Sequence, residues 1–360
     1  MRRVKKASKG VSINVIFYVI YINKGFKSNM KIQEQLFIRL EEIFDNRTEL
    51  IQDLCELLHL RKDAIYRRLR GDTVLTADEL GIICQRYAIS LDAIIQDAPS
   101  RMFFEFSAFK TPIKSVEQYV QQLDANFKKV RAIPDGHIFY ATSEIPVFYY
   151  AFFPRLFLFK LYVWGKTIWD ISAFQELKFS FDLIPYGIKK DADELINGYC
   201  QMETTELWSL NIADNTLNQI FYHADINSFE NIEDALALCD DMDRLLDHLE
   251  NLCIEEKKRV PESTIGQGKM KVLHNEMIYT NNTIYFKSPS IRSLYTTLAN
   301  PNFIVTMNKK LCDYKETWFK KLISKSTKLS GPEEKRRSKF FATLHKTVDR
   351  TRKKIEVLAD

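Results

Sequence analysis

The chain has 360 residues, of which 46% are hydrophobic and 28% are charged, a balance typical of soluble globular proteins. This length predicts two or three domains, and the low content of glycine (11) and proline (10) disfavours collagenous, linker-rich and sandwich-type chains and favours long helices. The net charge of +5 is too small to indicate a nucleic-acid partner by itself, but it is unevenly distributed. Residues 1–29 carry +7 and residues 309–360 carry +9, which leaves −11 on residues 30–308. A basic C-terminal segment of this kind either contacts phosphates or forms a solvated helix face.

The sequence shows none of the common motifs of catalytic or metal sites. Its six cysteines are widely spaced, with no CxxC pair and no HExxH motif, so we expect no zinc site and no bound cofactor. Neither a GxSxG motif nor a glycine-rich phosphate loop occurs, so the sequence does not predict an enzyme. Widely spaced cysteines are typical of free thiols in a reducing cytoplasm, which is where we expect this protein to act.

The first 29 residues differ in pattern from the rest of the chain. A basic start precedes the apolar run VSINVIFYVIYI, whose 12 residues are too few to span a bilayer as a helix and lack a small-residue cleavage site. We therefore interpret residues 1–29 as a disordered extension or as a segment outside the natural product, with a membrane anchor as the alternative. We predict no stable membrane insertion.

Residues 30–97 have the hydrophobic pattern of a compact helical domain. Apolar residues recur at helical spacing over residues 31–45, and a dense run of short helices comes next. The spacing predicts two helices, over residues 50–58 and 62–70, with a tight break between them. Gly71 directly follows the second helix and is a typical helix terminator.

The same segment carries the residues of a known DNA-binding motif. They are a small residue in the first helix, apolar residues in the turn and in the second helix, the end of that helix and the tail AISLDAII: Cys55, Leu60, Ile65, Arg70, Gly71 and residues 88–95. A capping box, Thr76 with Glu79, begins the next helix. With this order of helices, residues 50–96 closely resemble the helix-turn-helix domain of the lambda-repressor and Cro family. The resemblance implies a five-helix fold that binds DNA. One departure is His59, which stands where the family favours glycine and would strain a left-handed backbone.

The second helix of this motif is the candidate nucleic-acid interface. Residues 61–70 contain five basic residues and one acid, whereas residues 49–97 as a whole contain nine acids and six bases, so positive charge is concentrated on this helix. A helix fits the major groove, where base edges present distinct donor and acceptor patterns. The predicted DNA-binding residues are Arg61, Lys62, Asp63, Tyr66, Arg67 and Arg70.

The sequence leaves the role of each contact open. Arg61, Lys62 and Arg67 bind guanine or phosphate, Asp63 accepts from cytosine or caps the helix, and Tyr66 contacts a thymine methyl group or a phosphate. Two alternatives to DNA binding also remain. Either this segment packs against a partner protein, or the helix-turn-helix is accessory to a ligand-binding C-terminal domain.

The middle of the chain gives fewer functional signals. Residues 98–112 are predicted to be a linker with a short extended piece, and residues 113–260 a helical region for sensing or dimerisation. The aromatic-rich segment 148–169 predicts a buried helix pair or, alternatively, an aromatic-lined ligand pocket. Residues 232–253 form a near-heptad seam, which is typical both of a dimer helix and of an ordinary core helix.

Residues 261–360 are predicted to form a β-hairpin near residues 271–288, with an Asn-Asn turn, followed by basic helices. The segments HNEMIYTNNTIYF, LYTTLANPNF and WFKKLISKSTKLSGPEEKRRSKFF resemble the companion region of uncharacterised helix-turn-helix regulators from Bacteroidetes-type bacteria, which implies an intracellular regulator. The predicted fold class is therefore mainly α, with an N-terminal five-helix lambda-repressor-like domain, a larger α-helical domain and one small hairpin. The expected partners are double-stranded DNA, a second copy of the chain in a homodimer, and an unknown small-molecule or protein effector.

Overall fold

The chain divides into two compact units, Met1–Phe104 and Glu105–Asp360. The computed structural model describes residues 31–44, 46–87, 89, 91–94, 102, 104–106, 112–183, 188–261, 266–276, 281–299 and 301–359. The interpretation of residues 1–29 lies outside the described residues, as does most of the predicted linker 98–112.

The described part of the N-terminal unit is a group of five helices. Their bounds are α1 (Ile32–Ile43), α2 (Arg47–Leu58), α3 (Lys62–Leu69), α4 (Ala77–Arg86) and α5 (Leu91–Ile94). The predicted capping box is confirmed at the start of α4, and at the start of α2 the Asn46 side chain accepts a hydrogen bond of 2.7 Å from the Glu49 amide. All five helices contribute to one hydrophobic core, which includes Leu36, Leu40, Leu50, Leu54, Ile65, Ile83 and Ile94. The helices that periodicity predicts in this unit are therefore confirmed.

The second unit mixes helices and strands. Its helices are α6 (Val116–Arg131), α7 (Val147–Tyr150), α8 (Pro154–Thr167), α9 (Ser172–Gln175), α10 (Ile188–Gln201), α11 (Asp214–Asp225), α12 (Ile232–Glu255), α13 (Lys309–Ser324) and α14 (Glu334–Ala359). Its strands are β1 (Glu105–Phe106), β2 (His137–Thr142), β3 (Glu203–Trp208), β4 (Lys257–Arg259), β5 (Gly266–His274), β6 (Thr283–Lys287), β7 (Arg292–Ala299), β8 (Asn302–Thr306) and β9 (Thr327–Lys328).

These strands form one nine-stranded mixed sheet in the order β1-β8-β7-β6-β2-β3-β5-β4, with β9 paired to β5. The central strands β2, β3 and β5 are parallel, and the other pairs are antiparallel. The predicted fold class, mainly α with one small hairpin, is therefore wrong. The reason is that the central strands are covered on both faces, so β3 is buried at five of its six residues and lacks the alternation that marks a half-exposed strand.

The predicted hairpin near residues 271–288 is also wrong as a pairing, although both of its strands exist. Strand β5 pairs with β3, β4 and β9, whereas β6 pairs with β2 and β7, so the two predicted partners do not touch in the sheet. Part of the predicted turn, residues 277–280, lies outside the described residues. Antiparallel neighbours in sequence are instead β6 with β7 and β7 with β8.

Helices cover the two faces of the sheet unequally. On one face, Ala141, Leu207 and Leu273 share a hydrophobic cluster with Phe319 of α13. Successive side chains of a strand point to opposite faces, and on the other face the ring of Trp208 lies 6.5 Å from that of Phe340 in α14. That second face is the one on which α7, α10, α12 and α14 pack.

A fully buried carboxylate lies at the centre of that face. Glu206 of β3 accepts hydrogen bonds from the hydroxyls of Tyr149 (2.7 Å) and Tyr199 (2.8 Å), from Thr204 and from the indole of Trp208. Lys258 is buried nearby. Burial lowers the pKa of Lys258 to about 8, although the attraction of Glu206 opposes this change. Four donors therefore satisfy the carboxylate, and the group acts as a closed structural network.

Helix α12 contains the near-heptad seam that could have served a dimer. It packs against α14, α11 and α8, and its seam residues Cys239, Met242, Leu246 and Leu249 are buried inside the unit. A seam that is already covered cannot meet a second chain. The core-helix interpretation of residues 232–253 is therefore the one that the structure supports.

The aromatic-rich segment forms α7 and α8 and fills the interior. All ten residues from Leu156 to Gly165 are buried. Phe159 stacks on Phe229 at 5.8 Å, and Tyr162 lies edge-on to Phe179 at 5.3 Å. The segment is thus a packed core rather than an aromatic-lined pocket. Among the described residues, no helix has both the length and the hydropathy needed to cross a bilayer.

Candidate nucleic-acid interface

The turn between α2 and α3 sets the direction of the candidate recognition helix. His59 adopts the left-handed conformation (φ 53°, ψ 39°), and its amide and that of Leu60 both donate to the carbonyl of Cys55. This conformation usually requires glycine, because a β-carbon crowds the backbone there. The left-handed turn is therefore formed with a histidine in place, at a cost in backbone strain.

Helix α3 has one face in the core and one face in solvent. Ile65 is buried, with 1% of its surface exposed, and contacts the same cluster as Leu54 of α2. The structure places all six predicted DNA-binding residues on the exposed side or at the ends of this helix: Arg61, Lys62, Asp63, Tyr66, Arg67 and Arg70. Tyr66 is an exposed large aromatic residue, with 41% of its surface accessible.

The basic residues of this helix fall into two groups. Arg68 is half-buried and donates to both carboxylate oxygens of Glu79 (2.8 and 3.0 Å), and Arg70 forms an exposed pair with Asp72 (2.8 Å). Partial burial opposes ionisation of Glu79, but the hydrogen bonds from Arg68 and from the Thr76 amide outweigh it and lower the pKa of Glu79. Arg68 thus ties α3 to α4 and is not available to a ligand.

The remaining basic residues are open to a partner. In the part of the chain that the structure describes, the side chains of Arg61, Lys62 and Arg67 form no ion pair and no hydrogen bond. These three cations therefore make up the unneutralised charge of the exposed face, with Asp63 as the one acid in the first turn of the helix.

The side chain of Gln33 in α1 fixes the far end of α3. Its amide nitrogen donates to the carbonyls of Arg68 (2.7 Å) and Thr73 (2.9 Å), and its amide oxygen accepts from the Leu75 amide (2.8 Å). The three bonds satisfy backbone groups in the last turn of the helix and in the loop after it. The sequence offers no signal for this role, because the partners lie 35 to 42 residues further along the chain.

The geometry of α3 suits the major groove of DNA. An α-helix with its side chains is about 10–12 Å in diameter, and the groove is about 12 Å wide. Arginine and lysine donate to the acceptors on guanine and to phosphates, and tyrosine contacts the thymine methyl group or a phosphate. The exposed face of α3 thus carries several hydrogen-bond donors, one acceptor and one aromatic ring. Its positive charge is opposite to that of the phosphates of DNA.

A second feature of interest lies at the carboxyl ends of the parallel strands β2 and β3. It is a groove of about 470 Å³, lined by Ser143, Glu144, Asn211, Asp214, Asn215, Asn218, Gln219 and Tyr222. Next to it, the buried Lys160 donates to Gln219 (2.7 Å), and burial lowers the pKa of Lys160 to about 8 against the attraction of Glu144. The carboxylate, amide and hydroxyl groups of this lining offer hydrogen bonds to a small polar molecule.

Comparison with protein-family models, with curated proteins and with solved structures returned no match. In the described ranges, no group of three histidine, cysteine, aspartate or glutamate side chains is placed to hold a metal ion.

Proposed function

We propose that this protein is a sequence-specific DNA-binding transcription regulator of the lambda-repressor-like helix-turn-helix type, acting in the cytoplasm. The observation that carries this proposal is the exposed face of α3, where Arg61, Lys62 and Arg67 lack protein partners among the described residues while Ile65 anchors the opposite face. A free cationic helix on a small rigid core suits the major groove, because phosphates attract it and base edges give it specificity.

The proposed contacts follow from the position of each residue on α3. Arg61, Lys62 and Asp63 stand at its start, which is the end that reaches base edges in helix-turn-helix complexes. Tyr66 and Arg67 lie one turn further along and contact bases or the adjoining backbone. Arg70, already paired with Asp72, is expected to contribute less, since DNA would have to compete for a guanidinium that is in use.

A homodimer and an effector complete the proposal. One domain of this size makes few contacts, and pairing two copies on adjacent half-sites supplies the missing affinity. The polar groove beside Lys160 is the place where we expect a small-molecule effector, because its size and lining suit a polar ligand.

The decisive experiment compares the full chain with the double variant Arg61→Ala and Arg67→Ala in DNA-binding titrations over a range of salt concentrations. Because each arginine that binds a base contributes about 1–3 kcal/mol, we expect affinity for a selected sequence to fall at least about tenfold. The salt dependence should become shallower by about one unit for each phosphate that the variant no longer neutralises.

A control variant keeps this test specific. Arg86→Ala removes an exposed arginine from the last turn of α4, in the same unit but away from α3, and should leave the affinity nearly unchanged. If the double variant binds DNA as the unaltered chain does, a protein partner becomes the better explanation of the exposed helix.

A further inference from the structure

The last helix of the chain carries a strongly one-sided charge. Helix α14 contains nine basic and three acidic residues, whereas the rest of residues 105–360 contains 26 basic and 31 acidic residues. The helix therefore has a net charge of +6 in a unit that is otherwise −5. Its buried side, which includes Phe340, Leu344 and Val348, packs against α12 and α11.

Five of the basic residues form a continuous exposed row, which we name the basic stripe: Lys335, Lys339, Lys346, Arg350 and Lys353. At 3.6 residues per turn these positions fall within about 60° of the helix circumference, and they extend over about 27 Å. The acidic residues of α14 fall outside this arc. Among the described residues, no hydrogen bond or ion pair involves the side chains of the stripe.

One neighbouring acid, Asp214 of α11, attracts Arg350, whereas no ion pair or hydrogen bond among the described residues neutralises the four lysines of the row. Asp240 and Asp243 of α12 pair with Arg352, and Asp243 also accepts from His345, both on the α12 side of α14. Acid and base thus meet mainly at the packed interface and around Arg352, and the four lysines of the basic stripe stay outside these pairs. A solvated helix face more often mixes both signs, so the segregation indicates an anionic partner.

We propose that the basic stripe is a second nucleic-acid contact surface, which binds the phosphate backbone of duplex DNA without reading its sequence. This deepens, and rests on, the proposed DNA-binding function of α3. A straight row of cations about 27 Å long matches about eight base pairs of a linear polyanion at 3.4 Å per base pair. Because phosphates carry no sequence information, the stripe would add affinity but no specificity.

The test uses the full chain with four substitutions, Lys335→Gln, Lys339→Gln, Lys346→Gln and Lys353→Gln. Binding to duplex DNA of random sequence and of selected sequence is titrated at several salt concentrations. Since each phosphate contact contributes about 0.9 to the salt slope, we expect the slope to fall by about 3–4 and the affinity for both duplexes to fall at least about tenfold. Substitution of the same four lysines by arginine should preserve binding.

A matched control removes the same charge elsewhere. The variant Lys310→Gln, Lys320→Gln, Lys321→Gln and Lys325→Gln alters exposed lysines on and beside α13 and should leave the slope almost unchanged. An equal decrease in both quadruple variants, or no decrease in the stripe variant, would overturn the inference.

Two further arms separate this inference from other outcomes. Weaker binding to phosphatidylserine vesicles, with DNA binding unchanged in the stripe variant, would reassign the surface to membranes and overturn the proposal. The proposed function of α3 is tested by a different result. It fails if the Arg61→Ala and Arg67→Ala variant keeps its preference for the selected duplex over the random one, whatever the stripe variant does.

Discussion

The left-handed turn at His59 shows how one residue can carry strain so that a functional element keeps its direction. This region of backbone space costs a residue with a β-carbon about 1–2 kcal/mol and costs glycine almost nothing. The structure keeps the conformation (φ 53°) because the Cys55 carbonyl receives two amides there and Leu60 must reach the core. The strain is therefore offset by the packing of α2 against α3.

Replacing His59 by glycine should stabilise this turn. We expect the free energy of local opening to rise by about 0.5–1 kcal/mol, since relief of strain exceeds the extra backbone entropy of glycine in the unfolded chain. Hydrogen exchange of the amides in α2 and α3, followed by mass spectrometry on the full chain, measures this quantity. His59→Ala is the matched control, because alanine also has a β-carbon and should bring little or no gain. Faster exchange in the glycine variant would contradict the strain argument.

Local spacing predicts part of the candidate site and misses the rest. The outward position of Arg61, Tyr66 and Arg67 follows from helical periodicity, which acts over a few residues. Arg68 belongs by sequence to the same basic cluster, yet the structure pairs it with Glu79 on the next helix. Its partner, like those of Gln33, is set by how the helices pack, and periodicity carries no information about packing.

At the scale of elements, a histidine links the two longest helices of the second unit. His345 of α14 lies 2.7 Å from the Asp243 carboxylate of α12, with Asp247 and Glu250 nearby on α12 and Arg352 on α14. The hydrogen bond to Asp243 raises the pKa of His345 above its ordinary value, and partial burial opposes this only in part. The protonated imidazole therefore strengthens the contact between α12 and α14.

The sign of the pH effect follows from that raised pKa. A histidine with a higher pKa in the folded state contributes stability that is complete below its unfolded pKa of about 6.5 and is lost as the pH rises through the folded pKa. His345→Gln should therefore destabilise the protein more at about pH 5.5 than at about pH 8.5. Denaturant unfolding of both proteins at the two pH values gives the difference. Burial lowers the pKa of His248, so this residue also titrates differently in the folded and unfolded states. Both proteins contain His248, and its effect therefore cancels when their stabilities are subtracted at each pH. An equal destabilisation at both pH values would show that the contact does not depend on the charge.

The strands were harder to predict than the helices for physical reasons. A helix satisfies its backbone within a few residues, so its pattern is local. Strand β2 pairs with β3 and β6, whose residues lie far along the chain, and no local pattern encodes that choice. The interior of β3 is also polar at Thr204 and Glu206, because the tyrosines of α7 and α10 satisfy the carboxylate. A central strand with a buried glutamate therefore went unrecognised inside the region predicted to be helical, residues 113–260.

At the scale of the whole molecule, charge is divided between the two units in a way that suits DNA. Each unit closes its own hydrophobic cluster, so each can present a cationic surface without giving up core residues. The free cations of α3 are few and stand on an eight-residue helix, which suits recognition. The basic stripe on α14 is long and regular, which suits affinity. The two proposals thus assign specificity to α3 and general attraction to α14.

This division predicts the form of the DNA target. One α3 helix of about 12 Å reads only a few base pairs, and single modules of this size bury too little surface for tight binding, so two copies are expected on half-sites about 10–10.5 base pairs apart. Selection of bound sequences from a random DNA pool by the full chain should yield a palindromic consensus. Sedimentation of the complex should give two chains per duplex. The Arg61→Ala and Arg67→Ala variant, selected in parallel, should enrich a weaker and more degenerate consensus, because it loses two of the side chains proposed to read bases while the phosphate contacts of the basic stripe do not distinguish bases. A short non-palindromic consensus bound by one chain would contradict the dimer and leave DNA recognition intact. Enrichment of the same consensus by the variant would contradict the role of α3 itself.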